Sequence, residues 1–426
     1  MFTDTWEPQI NGVVTSLRGL SHALRDQGHD VTIIAPQIPG QRFEEGVMRI
    51  RSVPYRPQPE HRMALPPGPR KLLELKALDL DIIHTHGIFL PTMALGVARA
   101  FNLPLVHTYH TRMRDYVHHY PGYPTLAWLT DERRWYARSS RSRRRISRSL
   151  RGGLDRGAIA FAGRFDVWYA NHCQEVITPA HPMALELQRM GVKTPIQVIS
   201  NGIDLENLLA PQDDPFVALG VPEDAIRLLT VSRLDREKSV DELLRRFARI
   251  RARLPKAHLT IVGDGPKRED LEALCLKLGI RDSVIFCGYV PSQRVGGFYQ
   301  HANLFIFASV SETQGLVALE AAACGLPVIA RAEMGVTTCV LNAQTGFLVD
   351  PNDPQAFADQ ALELLRDPVM RLEFSAAARI WAQREGGLPH MAESVVEVYQ
   401  RSMQAFSGWN EFAWPGSVPS ELEMKR

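Results

Sequence analysis

Short apolar runs of strand length alternate with segments of helical period through almost the whole chain, and the alternation starts afresh past its middle. In the first half, residues 13–27 read as a helix closed by Gly28, and 30–35 (DVTIIA) as a strand. Residues 82–85 and 105–108 are further strands on either side of a helix near 93–101, and 175–178 and 196–200 complete the set. In the second half, 228–232, 258–262, 284–287, 304–309 and 328–330 read as strands between helices at 241–253, 267–278 and 316–324. Strand and helix in repeated succession bury their apolar faces as a parallel sheet with helices on both sides. The expected fold is therefore α/β, with two doubly wound Rossmann-like domains facing a cleft, since ligands bind such sheets beyond the carboxyl ends of their strands. The expected division is an N-terminal domain over 1–203, an acidic, proline-bearing linker over 204–225 and a C-terminal domain over 226–385, with a helix and tail over 386–426 returning to the first domain. The opening MFTDTWEP offers only Phe2 and Thr3 as a first strand, where about five or six residues are usual, so a natural start upstream of Met1 is expected.

With 426 residues, 45% hydrophobic and 23% charged, the chain has apolar material for two cores. Its five cysteines (Cys173, Cys275, Cys287, Cys324 and Cys339) form no CxxC and have no histidine at ligand spacing, which argues against a disulfide framework or zinc site and fits a reducing compartment. No apolar run approaches the ~18–20 residues of a membrane span and no signal peptide opens the chain, so the cytoplasm or the cytosolic face of a membrane is expected. The net charge of +2 is unevenly placed: residues 131–165 carry eleven arginines, no lysine and three acids, a net of +8 that leaves −6 elsewhere.

The chemistry concentrates at strand ends of the second half. In SETQGLVALEAAACGLPVIA (311–330), two carboxylates, Glu312 and Glu320, flank an otherwise uncharged run. Glu320 falls inside an apolar helix that ends at Gly325, a costly place for a carboxylate without a partner. Vicinal hydroxyls of a sugar or ribose would supply one, and Glu312, in the loop, can accept from another pair. Gly315 lets backbone approach a ligand, and the N–H groups heading the helix favour an anion. Upstream, VSRLDREKS (231–239) sets Arg233 after a strand and Lys238 at the start of the next helix, two cations suited to a diphosphate or simply solvated on the surface. VGDGP (262–266) brings Gly263 and Gly265 into a tight turn that is not a GxGxxG fingerprint.

The two glutamates, with Arg233 and Lys238 upstream, resemble the retaining GT-B glycosyltransferases of family 4 over about residues 1–380. The resemblance implies a nucleotide-diphosphate sugar as donor, UDP-glucose, with no cofactor and no metal. It implies that Glu312 and Gly315 face the hexose, that Glu320 holds the ribose, and that Arg233 and Lys238 clamp the diphosphate with backbone N–H groups of Leu316 and Val317. Within the family, FTDTWEPQINGVVTSL and VHTYHTRMRDYVHHY look most like the bacterial diacylglycerol glucosyltransferase branch, whose acceptor is a membrane lipid. By the same resemblance, His110 lies near the transferred sugar. The expected catalytic set is His110, Glu312, Arg233 and Lys238, and the donor-binding set adds Gly12, Gly263, Gly265, Gly315, Leu316, Val317 and Glu320.

Elsewhere in the first half the residues speak less sharply. Asn11-Gly12 heads a helix, as an anion or acceptor loop or an ordinary one. Residues 107–124 hold four His and four Tyr without an acidic partner pattern, which favours hydrogen-bonding over metal-binding roles. DLD (79–81) and HTHG (84–87) abut a strand and read as strand edge rather than metal motifs. The arginine block carries Ile146, Leu150 and Leu154 at helical spacing and reads as a segment held against anionic lipid, or as a disordered insert; nucleic acid is not expected, since no aromatics interleave along it. Competing readings are a family 4 enzyme with a soluble, phosphoinositide or polysaccharide acceptor, a nucleotide-sugar epimerase on the same fold, and a binding protein with a decayed site.

Overall fold

The computed structural model describes residues 1–9, 11–41, 43–55, 58–87, 90–110 and 162–409. The arginine block up to residue 161, most of the His/Tyr segment and the tail beyond 409 lie outside these residues.

Two parallel sheets organise the chain. Among the described residues the N-terminal sheet has seven strands, in the order β3-β2-β1-β6-β7-β8-β9. They are β1 (Phe2–Thr3), β2 (Ile33–Pro36), β3 (Val47–Ile50), β6 (Ile83–His86), β7 (Leu105–Thr108), β8 (Glu175–Thr178) and β9 (Ile196–Val198), with β4 (Ser52–Tyr55) and β5 (Gln58–Ala64) forming a separate antiparallel pair. Short as it is, β1 sits centrally, Phe2 facing Ile34 on one side and Thr85 on the other. The C-terminal sheet has six strands in the order β12-β11-β10-β13-β14-β15: β10 (Ile226–Val231), β11 (Ala257–Val262), β12 (Val284–Gly288), β13 (Leu304–Phe307), β14 (Val328–Arg331) and β15 (Gly346–Val349). Strands such as LFIF of β13 are buried along their length, as parallel strands covered on both faces must be. In each sheet the order reverses once, between β1 and β6 and between β10 and β13, and there a crevice opens at the carboxyl edge.

Residues 204–225 are not a free linker. Asp204 caps the short helix Leu205–Leu209 and Asp214 caps Pro215–Ala218. Leu208, Phe216 and Val221 pack into the same core as Leu229 and Phe305. The acids and prolines that suggested a linker are helix-start signals. The chain crosses between domains again near 386, where Ile203 N–H donates to Gly386 O at 2.8 Å and Ile203 bridges Gly387. The two crossings thus lie side by side. A side chain at Gly202 would meet Leu388 Cα at 2.9 Å, so the contact requires glycine. Beyond it, the helix Leu388–Ala405 packs Met391, Val395 and Val398 against Leu20, Leu24 and Ile177 of the N-terminal domain. Tyr399 and Arg401 reach His84 and Glu175 there, and the Trp409 indole donates to Leu103 O at 3.0 Å.

Candidate active site

At the carboxyl edge of the C-terminal sheet, β10 and β13 each end in a loop carrying site residues. After β10, Arg233 lies on the chain leading into a 3-10 turn, Arg236–Lys238, and the following helix starts at Val240, so Lys238 precedes it rather than opening it. Lys238 Nζ donates to Glu312 Oε1 at 2.6 Å, with both side chains largely covered (18% and 15% exposed). Burial alone would raise the Glu312 pKa, but the charge and hydrogen bond of Lys238, with the charge of Arg233, outweigh it and hold the carboxylate ionised. Arg233 is more open, and its guanidinium pairs with Glu237 at 2.6 Å and Asp235 at 3.4 Å.

Glu312 continues into Gly315, whose φ of +94° is left-handed and which caps the helix Leu316–Ala323. The first N–H groups of that helix, at Leu316 and Val317, lie ahead of the intrahelical ladder, whose earliest donors are Ala318 and Leu319 to Gly315 O. Behind the loop, Gly335 N–H donates to Glu312 O at 2.9 Å; a side chain on Gly335 would come within 2.1 Å of Thr313 O. Gly263 and Gly265 serve a similar closeness: Cβ atoms there would lie 1.9 Å from Ser232 O and 2.6 Å from Leu234 O, so they let the loops after β10 and β11 touch. Glu320 has a protein partner that the sequence does not reveal, for Tyr299 Oη donates to Glu320 Oε2 at 2.7 Å. That bond only partly offsets burial, which pushes the Glu320 carboxyl up to about 7.

The edge of the N-terminal sheet is different. His86 ends β6 and His110 lies just past β7, and they meet: His86 Nδ1 and His110 Nε2 are 3.0 Å apart with the rings stacked. His84 bonds Thr108 and Tyr399, and His107 bonds Thr85. Burial holds all four imidazoles neutral, His110 down to about 3 with help from His107, and His107 to about 4. Among the described residues His86 Nε2 is buried without a hydrogen-bond partner, and no group of three or more His, Cys, Asp or Glu could hold a metal ion. Asp79 and Asp81 precede β6, at the opposite end of the strand from the crevice.

Next to His110, Tyr109 Oη donates to Asp166 Oδ2 at 3.0 Å, and burial raises that carboxyl to about 7 against the opposing hydrogen bond. The same helix, 162–170, presents Val167 and Trp168 to an apolar groove shared with Gly163, Arg164 and Met190. Asn11 caps the helix Gly12–Asp26 by accepting from Val14 N–H at 3.0 Å, leaving Gly12 exposed at the crevice mouth with open space where a Cβ would stand. Among the described residues no helix is long and apolar enough to cross a membrane.

Two family models match the chain, "Glycosyltransferase Family 4" over residues 10–207 and "Glycosyl transferases group 1" over 212–381. An alpha-monoglucosyldiacylglycerol synthase of Streptococcus pneumoniae is 34% identical over 82% of this chain and 74% of its own length. A protein of the same name from Acholeplasma laidlawii is 27% identical over 83% of this chain and 85% of its own. A D-inositol 3-phosphate glycosyltransferase of an Arthrobacter strain is 30% identical over 72% and 67%. Among solved structures, Anabaena HepE in complex with UDP shares the fold at a TM-score of 0.69, with 17% identity and coverage of 94% of this chain and 98% of that one.

Proposed function

Because the chain belongs to the GT-B glycosyltransferases of group 1 and family 4, we propose that it moves a hexose from a nucleotide-diphosphate sugar, UDP-glucose, to a membrane lipid, diacylglycerol, with retention at the anomeric carbon. The observation that carries the donor half is the pairing of Lys238 with Glu312 at the β10/β13 switch point, with a buried Glu320 in the helix that follows. Donor binding would exchange partners: the diphosphate takes Lys238 and Arg233, which frees Glu312 to accept from hexose hydroxyls. Glu320 accepts from the ribose while Tyr299 steadies its other oxygen. As the glycosidic bond breaks, charge builds on the departing phosphate, where Lys238, Arg233 and the N–H groups of Leu316 and Val317 meet it. Attack comes from the same face, and the leaving phosphate takes the acceptor's proton, so the neutral histidines orient by hydrogen bonds only. His110 would meet the hexose from the N-terminal edge, and with the protein cations on the diphosphate the reaction needs no metal.

The lipid half rests on the diacylglycerol-named relatives and on the apolar groove of Val167, Trp168 and Met190, one helix face from Asp166. The arginines of 131–165 would hold this domain to an anionic cytosolic leaflet, each worth about 1 kcal/mol there. The inositol-phosphate relatives support a second reading, a phosphorylated polyol as acceptor. A screen of donors by hydrolysis, with and without diacylglycerol vesicles or inositol phosphate, separates the two. Transfer from UDP-glucose to diacylglycerol is the expected result. Replacing Arg141, Arg143, Arg144, Arg145 and Arg148 by Gln should weaken sedimentation with anionic vesicles at low salt while sparing hydrolysis.

A further inference from the structure

Between Glu312 and Gly315 the donor loop carries Gln314, a large polar side chain only 4% exposed. Its amide spans the domains. Gln314 Oε1 accepts from the Asn201 backbone N–H at 2.9 Å, and Gln314 Nε2 donates to Ser200 Oγ at 2.5 Å. The network goes on into the acceptor side, since Ser16 Oγ donates to Asn201 Oδ1 at 2.8 Å, and Ser16 lies on the helix that Asn11 and Gly12 begin. Ser16 and Asn201 are themselves buried (3% and 8% exposed). Residues 200 and 201 lead directly into the interdomain crossing at Ile203, which bridges Gly387 of the return crossing. One residue of the donor loop is therefore bonded to the hinge, and through Asn201 to the helix at the opposite lip of the cleft.

A buried amide of this kind is selective about geometry. It satisfies one backbone donor and one hydroxyl at fixed angles, so the loop cannot shift against the crossing without leaving polar groups unpaired in a closed space. An aliphatic side chain of the same size would hold the domains together equally well by area but would permit sliding. We propose that Gln314 is a positioning residue that couples the donor loop to the interdomain crossing, so that an occupied donor site sets the angle at which the acceptor domain meets it. The inference rests on the donor-site reading above. It requires no chemistry from Gln314 itself: the residue acts through Ser200 and Asn201 on where the acceptor hydroxyl arrives. The reaction most sensitive to that angle is transfer, because a misplaced acceptor leaves water as the competing nucleophile.

The test compares the full-length chain with Gln314→Leu, Gln314→Glu, Ser200→Ala and the Gln314→Leu/Ser200→Ala double variant. Three quantities are read: UDP affinity by calorimetry, the ratio of glucosyl transfer to UDP-glucose hydrolysis, and hydrogen exchange of the peptides covering 199–204 and 312–320 with and without UDP. For Gln314→Leu the coupling account expects UDP affinity within about 3-fold of wild type and transfer lowered about 30- to 100-fold, the scale of an ångström-level misplacement, with hydrolysis lowered far less. Ser200→Ala should lower the ratio several-fold alone and add nothing to Gln314→Leu. UDP should slow exchange at 199–204 in the wild type but only at 312–320 in Gln314→Leu. Gln314→Glu keeps the acceptor for Asn201 N–H and should restore part of the UDP effect at 199–204. Equal losses of transfer, hydrolysis and UDP affinity would overturn the coupling and leave a local support for the loop. Should Gln314→Leu fail to fold, an unchanged ratio in Ser200→Ala overturns it as well. Wild-type protein that binds no UDP would instead overturn the donor reading, which the calorimetry shows separately.

Discussion

At the switch point of the N-terminal sheet the described residues gather four buried, uncharged imidazoles near one carboxylate, Asp4, which accepts from the Leu90 N–H at 2.7 Å, whereas at the matching point of the C-terminal sheet cations and carboxylates pair directly. Topology is the same in both halves: parallel strands, a reversal of order, and loops at the carboxyl edge. What differs is the kind of work the edges can do. Neutral imidazoles at His86 and His110 can hydrogen-bond a hydroxyl but contribute no charge. Lys238, Arg233 and the helix head at Leu316 can meet a developing anion, which is where preorganised charge has its largest effect on rate. In the proposed reaction the charged edge takes the donor and leaving group, and the neutral edge meets the outer face of the transferred sugar.

Breaking the charged edge should have the largest effect. Lys238→Ala is expected to lower transfer about 10²- to 10³-fold, with UDP affinity falling less than turnover. It also strands Glu312 as a buried charge, so the melting temperature should drop and recover in the Lys238→Ala/Glu312→Gln double variant. Arg233→Ala should cost about 10-fold, since Arg233 is half exposed and already shared with Glu237 and Asp235. Steady-state transfer, calorimetry with UDP and thermal melts check all three.

Breaking the neutral edge should look different in kind. His110→Ala is expected to lower turnover about 10- to 100-fold while leaving UDP affinity unchanged. The deficit should be constant from pH 6 to 9, because a ring whose pKa lies at about 3 changes no charge there. A deficit that grows or shrinks near pH 6.5 would restore a charged histidine to the mechanism.

The charged edge also carries the pH dependence. Glu320 titrates at about 7 in the free protein because burial raises it. Ribose hydroxyls donate to the ionised form, so the bound-state pKa is lower than the free one. Donor affinity is then fully present above pH 7 and falls as pH drops through it, by at most about 10-fold per pH unit. Calorimetry at pH 6, 7 and 8 should show this slope and its loss in Glu320→Gln. The smallest expected effect is that of EDTA: transfer should be unchanged, and abolition reversed by Mn²⁺ or Mg²⁺ would return Asp79 and Asp81 to consideration.

Much of this contrast is readable in the chain before folding. Glu320 stands out because a carboxylate in LVALEAAA breaks an apolar helix, and Gly315 and Gly325 mark its ends. Long-range polar partners are not readable. Tyr299 lies a helix and a strand away from Glu320, and Gln314 binds Ser200 and Asn201 more than a hundred residues earlier, so no local period or spacing announces either contact. His86 sits in HTHG, a stretch read only as strand edge, and it meets His110 because β6 and β7 pair with His86 opposite Thr108. Asp204 and Asp214 carry the reverse lesson: their helix-capping role resembles linker composition until Leu208 and Phe216 are seen to enter the core.

The assignment of the donor to the charged edge is tested most directly by titrating UDP-glucose into the wild-type chain, Glu320→Gln and His110→Ala at pH 8. Expected are binding by wild type, affinity lowered about 10-fold or more in Glu320→Gln with an unchanged melting temperature, and a far smaller change in His110→Ala. Equal affinity in Glu320→Gln and wild type, or a larger loss in His110→Ala, would contradict it.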